Sequence, residues 1–106
     1  MMSTTSKFRQ ENPQIVAAVL KALEEANRMI VADKVMAAGL LAASEGGGLT
    51  TEEIAAVLDD PHVKFTTTPE NVMKYAEFMH AAGSLKNRPD SWKDLFFPEI
   101  HGAPGS

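Results

Sequence analysis

The tightest constraint on this chain is the run that opens at Asn12-Pro13. Asn is a good helix N-cap, and Pro fits the first helical position, where its missing N–H costs nothing. Behind it, Ile15, Val16, Val19, Leu20, Leu23, Ala26 and Ile30 recur at helical spacing and form one apolar stripe. Lys21, Glu24, Glu25 and Arg28 take the other side. Glu24 and Arg28 stand one turn apart, a pairing worth about 0.2–0.5 kcal/mol. A stripe of this length is wasted on an isolated helix, so it predicts a packing partner.

The rest of the chain is punctuated into shorter pieces. Asp33 is placed to cap a second helix reaching Leu41 or Ser44, with Val35, Met36, Leu40 and Leu41 apolar. The glycines Gly46, Gly47 and Gly48 end it. Thr50 and Glu53 have capping-box spacing and start a third helix, with Ile54, Val57 and Leu58 on one face. Pro61 stops that helix, because it disfavours helical geometry at Asp60. Val63 to Thr67 reads as a short extended segment. Thr68 is expected as the N-cap and Pro69 as the first residue of a fourth helix, carrying Val72, Met73, Ala76, Met79 and Ala82 to a glycine stop at Gly83. Ser91 or Asp90 can cap a last turn, Trp92 to Phe96.

The expected fold class is therefore mainly α: four to five short helices with one short extended segment, in a single helical unit over residues 1–106. The chain's 106 residues suit one small domain. An apolar content of 44%, poor in aromatics and rich in Ala, Val, Leu and Met, fits close helix packing.

Charge and composition exclude several function classes. The net charge is −4 and the basic residues are scattered, so nucleic-acid binding is not expected. No stretch is apolar enough for membrane insertion or a secretory signal, and as written the chain is expected to stay in the cytoplasm. Without cysteine, thiolate chemistry and disulfides are out of reach. His62, His80 and His101 do not pair at metal-ligand spacing, and each reads as a surface or loop histidine. The pairs Glu24-Glu25, Glu52-Glu53 and Asp59-Asp60 are sequence neighbours, which do not face each other on a helix, and they read as solvated charges rather than acid/base dyads. Met29, Met36, Met73 and Met79 read as core fill. No catalytic residue, metal site or cofactor is expected.

Thr66, Thr67 and Thr68 precede a helix N-terminus, whose free N–H groups and partial positive charge suit an oxyanion. Thr68 is engaged by capping, which leaves Thr66 and Thr67 as candidate ligand-binding residues. At the other end, Trp92, Leu95, Phe96, Phe97 and Ile100 crowd into a few positions. This tail is expected to be buried, against the chain's own helices or another surface, since each large side chain contributes about 1.5–3 kcal/mol on burial.

The ordered pair "TTSKFRQENPQIVAAVLKALEEANRMI" and "LTTEEIAAVLDDPHVKFTTTPENVMKYAEFMHAAGSLKNRPDSWKDLFFPEIHGAPGS" resembles the C-terminal third of the periplasmic solute-binding proteins of ABC importers for nitrate, taurine, aliphatic sulfonates and related compounds. The resemblance runs over nearly the whole chain. It reads the start of the first stretch, ahead of the Phe8 to Pro13 run, as the end of a strand. It implies a two-lobed α/β fold that closes on a small ligand and delivers it to an ABC permease, without enzymatic activity and in the periplasm. It further implies that this chain lacks the leader, the first-lobe core and the second lobe. Most ligand contacts of the family would lie in those parts, so only Thr66 and Thr67 stand as positions to test. Helices that normally cover a sheet would keep their apolar faces, and self-association follows as an expectation, as an isologous dimer or by exchanged helices. The alternative reading is a free-standing helical interaction module that self-associates. A small enzyme is the third and has no nucleophile, dyad or metal set to support it.

Overall fold

The computed structural model of the chain describes residues 1–45 and 48–106. Over that range the protein is all-α: five helices, four of them of seven residues or more, and no strand among the described residues. The helices are α1 Ser6–Glu11, α2 Pro13–Ala32, α3 Lys34–Glu45, α4 Thr51–Asp59 and α5 Val72–Ala81. Two 3-10 turns follow, Trp92–Leu95 and Pro98–Ile100. The backbone divides into two units, Met1–Thr66 and Thr67–Ser106, which are described separately.

In the first unit the local signals act as the sequence predicts, the side chain of Asn12 excepted. Asn12 caps α2 with Pro13 at its first position, although the Asn12 side chain turns back, its Nδ2 donating to the Phe8 carbonyl at 3.2 Å. The Asp33 carboxylate accepts the Met36 N–H at 2.9 Å and starts α3. At α4 the capping box closes in both directions: the Glu53 N–H donates to Thr50 Oγ1 at 3.2 Å, and the Thr50 N–H donates to the Glu53 carboxylate at 2.8 Å. Asp60 is extended ahead of Pro61, and α4 ends at Asp59. Gly48 takes a left-handed φ of 77°, and the expectation for Gly46 and Gly47 lies outside the described residues. The Lys34 ammonium meets the Asp59 carboxylate at 3.0 Å and ties the start of α3 to the end of α4.

One correction concerns the N-terminus. The residues ahead of Phe8 are read above as a strand end, yet a helix, Ser6–Glu11, begins among them. The reason is local: Thr5 is extended and its hydroxyl accepts the Phe8 N–H at 3.1 Å, an N-cap in its own right.

The packing of this unit centres on α3 and α4, where Ala38, Ile54 and Leu58 are buried, with Ala37, Ala42 and Ala55 against them. Small alanines on α3 let α4 approach closely. The long helix α2 buries none of its residues. Its Val16, Leu20, Leu23 and Ile30 are half-buried, while Ile15 and Val19 stand in solvent. Val57, expected on the α4 core face, is also exposed. The methionines correct the core-fill expectation: Met29, Met36 and Met79 are exposed and only Met73 is half-buried. These helices offer apolar faces wider than the surface that neighbouring elements cover.

Candidate functional site

The second unit holds Thr67, one of the two candidate ligand residues, and the start of α5. That start differs from expectation. Thr68 does not cap the helix and Pro69 is not its first residue; α5 begins at Val72, and Asn71 precedes it in the left-handed region at φ 59°. The stretch 63–66 takes no regular structure, and Thr67 and Thr68 form a bend. Asn tolerates positive φ better than most side chains, and it serves here as the pivot into the helix.

The cause lies at the other end of the sequence. The Val72 N–H donates to the Ser106 carbonyl at 2.8 Å, and the Asn71 N–H donates to Ser106 Oγ at 3.0 Å. In return the Ser106 N–H donates to the Pro69 carbonyl at 3.0 Å. The first amides of a helix lack intrahelical acceptors. Here a residue distant in sequence supplies them, in place of Thr68. An anion at this helix start would have to displace Ser106.

The Ser106 contact is held by a small aromatic cage. Trp92 is buried and stands edge-on to the Phe96 ring at 6.1 Å and to the His101 ring at 5.8 Å. The His101 Nε2–H donates to the Phe96 carbonyl at 2.8 Å, which fixes the ring beside the indole. Gly105 lies so close to the indole that a Cβ there would meet Trp92 Cε2 at 2.8 Å. Of the two caps that the sequence offers, Ser91 is the one used: with Asp94 it forms a second capping box, and the turn it starts, Trp92–Leu95, ends one residue short of the expected Phe96. Of the apolar tail, Trp92 is buried, Phe96, Phe97 and Ile100 are half-buried, and Leu95 is exposed. Burial of that tail is therefore partial.

At the far end of α5 the glycine stop holds. Gly83 has φ 77°; its N–H donates to the His80 carbonyl, and the Ser84 N–H reaches back to the Met79 carbonyl at 2.9 Å. This is the paired bonding of a left-handed helix terminus. The His80 Nδ1–H donates to the Leu85 carbonyl at 2.9 Å and steadies the same turn.

Thr66 is exposed and ends the first unit; Thr67 is half-buried and begins the second. The remaining histidine, His62, is exposed, with Nδ1 at 2.9 Å from Asp60 Oδ1. The His62 backbone N–H and then its ring hold the Asp60 carboxyl below its ordinary 3.8. Among the described residues no three His, Asp or Glu side chains gather as a metal-binding group. Sequence reading missed Ser106, Gly105 and Asn71 as the residues that build this region. The one legible signal was Gly105, a residue without a side chain beside a tail rich in aromatics.

Compared with protein-family models, curated proteins and solved structures, the chain matches none of them.

Proposed function

We propose that this chain is the C-terminal helical segment of a non-enzymatic substrate-binding protein of an ABC importer for small anions or sulfonates, nitrate, taurine or a related compound. In that reading the complete protein works in the periplasm and hands its ligand to an ABC permease, and these helices pack on the body of the binding lobe. The observation that carries it is the exposure of large apolar side chains on helices whose stripes are otherwise regular. Tyr75 and Phe78, one turn apart on α5, are each 71% exposed. Apolar groups that adjoin one another at the surface mark interaction sites. The ordered resemblance of the ENP, TTEE, FTTTPEN and SWKDLFFPE stretches names the neighbour. Thr66 and Thr67 are the positions at which ligand contact is to be tested.

Fragment complementation tests this reading. A taurine- or nitrate-binding protein of this type, cut before its own ENP helix, is mixed with the chain and titrated with its ligand by calorimetry. Formation of a one-to-one complex with recovered ligand heat is expected. If the cut protein recovers binding with its own C-terminal piece but not with this chain at tens of micromolar, the reading fails. The second reading, a self-associating interaction module, draws on the same exposed faces and needs no missing lobe.

A further inference from the structure

The long helix α2 carries a second apolar line beside its half-buried one. Ile15, Val19, Ala22, Ala26 and Met29 follow one another at steps of four, three, four and three residues. That alternation is the seam spacing of a two-helix coil. All five residues are exposed, Ile15 at 51% and Met29 at 52%, while Val16, Leu20, Leu23 and Ile30 around the helix are half-buried. The helix therefore has one side turned to its own unit and a regular seam turned to solvent.

We infer that a second copy of this chain covers the seam, its α2 antiparallel to the first. Antiparallel coils set alternate seam positions of the two helices opposite each other. In the register that puts Ile15 opposite Ala26 of the second copy and Val19 opposite Ala22 of the second copy, two of the three large seam residues face a small one, which fills the centre of the seam evenly, while Met29 falls beside the Asn12 end of the second copy's helix. A parallel in-register pair instead stacks Ala22 on Ala22 and Ala26 on Ala26, leaving a gap between Val–Val and Met–Met layers. Charge separates the two antiparallel registers. Shifting by seven residues sets Glu25 against Glu25 of the second copy, a like-charge contact. The chosen register sets Glu25 against Ala18 of the second copy, with Lys21 of that copy one turn away. The seam spans about 21 Å at 1.5 Å per residue. A strip of that length and about 10 Å wide covers on the order of 200 Å² per partner, against about 800 Å² in a standard interface, so the pair is expected to exchange in the micromolar range or weaker. None of this depends on the importer reading, because it concerns two copies of the chain alone.

The chain has no cysteine, so introduced thiols report the register directly. V19C and A22C variants are oxidised separately at about 100 µM and then as an equal mixture. The expected result is a mixed disulfide in the mixture at least fivefold more abundant than either homodimer. A22E, at an exposed position, is expected to keep the far-UV helix signal and to need at least tenfold more protein to pair. The inference is overturned by homodimer cross-links of A22C that equal the mixed one, by no cross-link in the mixture, or by A22E that pairs like the wild type.

Discussion

Replacing Gly105 with alanine is predicted to unfasten the Ser106 contact. The added Cβ would lie 2.8 Å from Trp92 Cε2, 2.9 Å from Cζ2 and 3.0 Å from Cδ2, so either the indole or the tail has to move. The indole is wedged between Phe96 and His101. The tail is the softer partner, and lifting it breaks three hydrogen bonds made by Ser106, to Pro69, Asn71 and Val72. At about 0.5–1.5 kcal/mol each they are together worth roughly 1.5–4.5 kcal/mol. Keeping the tail in place by overpacking costs about 1–3 kcal/mol. The smaller of the two limits the loss, so Gly105→Ala is expected to destabilise the second unit by about 1–3 kcal/mol. Trp92 is the only tryptophan, and its emission follows this unit alone. Urea unfolding read by that emission should show a lower midpoint and a red-shifted folded baseline. Gly102→Ala is the control, because nothing lies within 4 Å of the Cβ it would add. Equal midpoints and equal emission maxima for wild type, G105A and G102A would refute the reasoning.

Further outcomes are expected at the local signals. Thr50→Ala opens the α4 capping box and should cost about 1 kcal/mol of stability, measured by denaturation; a loss below a few tenths would show that the box holds nothing in place. Gly83→Ala forces a side chain into φ 77° and should cost about 1–2 kcal/mol, seen as fraying of the last turn of α5 by amide exchange. Asp60 is stabilised in its charged form, so its contribution is present above pH 3.8 and is lost as the pH falls through its lower folded value. NMR titration of the Asp60 carboxyl should give a midpoint under 3.8 that returns toward 3.8 in H62G only in part, since the backbone N–H remains; a wild-type midpoint at or above 3.8 would contradict the assignment.

The parts of the fold that were legible in the sequence are those written in short range. The starts of α2, α3 and α4, the Gly83 stop and the Ser91 turn each depend on residues within four positions of one another, and the chain's own chemistry specifies them. The start of α5 was not legible, because its N–H groups are taken by Ser106, and no local pattern at Thr68 announces a partner that far along the chain. The helix α1 was hidden for another reason. Thr5 offers an ordinary N-cap, but Asn12-Pro13 soon interrupts, and the short run reads as a lead-in. The core was the least legible feature. Periodicity marks which residues are apolar, not which are covered. Ala38 is fully buried although it offers a single methyl, whereas Leu40, on the same helix, is 64% exposed. Thr66 and Thr67 were named because they precede an expected helix start, and the bonds of Pro69, Asn71 and Val72 to Ser106 arise only when the tail folds back.

The central claim is that the exposed apolar faces of these helices are contact surfaces, with α2 able to meet its own copy. Light-scattering mass measured on the full chain from 2 to 200 µM tests it most directly. The account predicts a mass rising from that of a single 11.4 kDa chain toward twice that value over this range. A mass that stays at one chain throughout, with unchanged helix content, would contradict it.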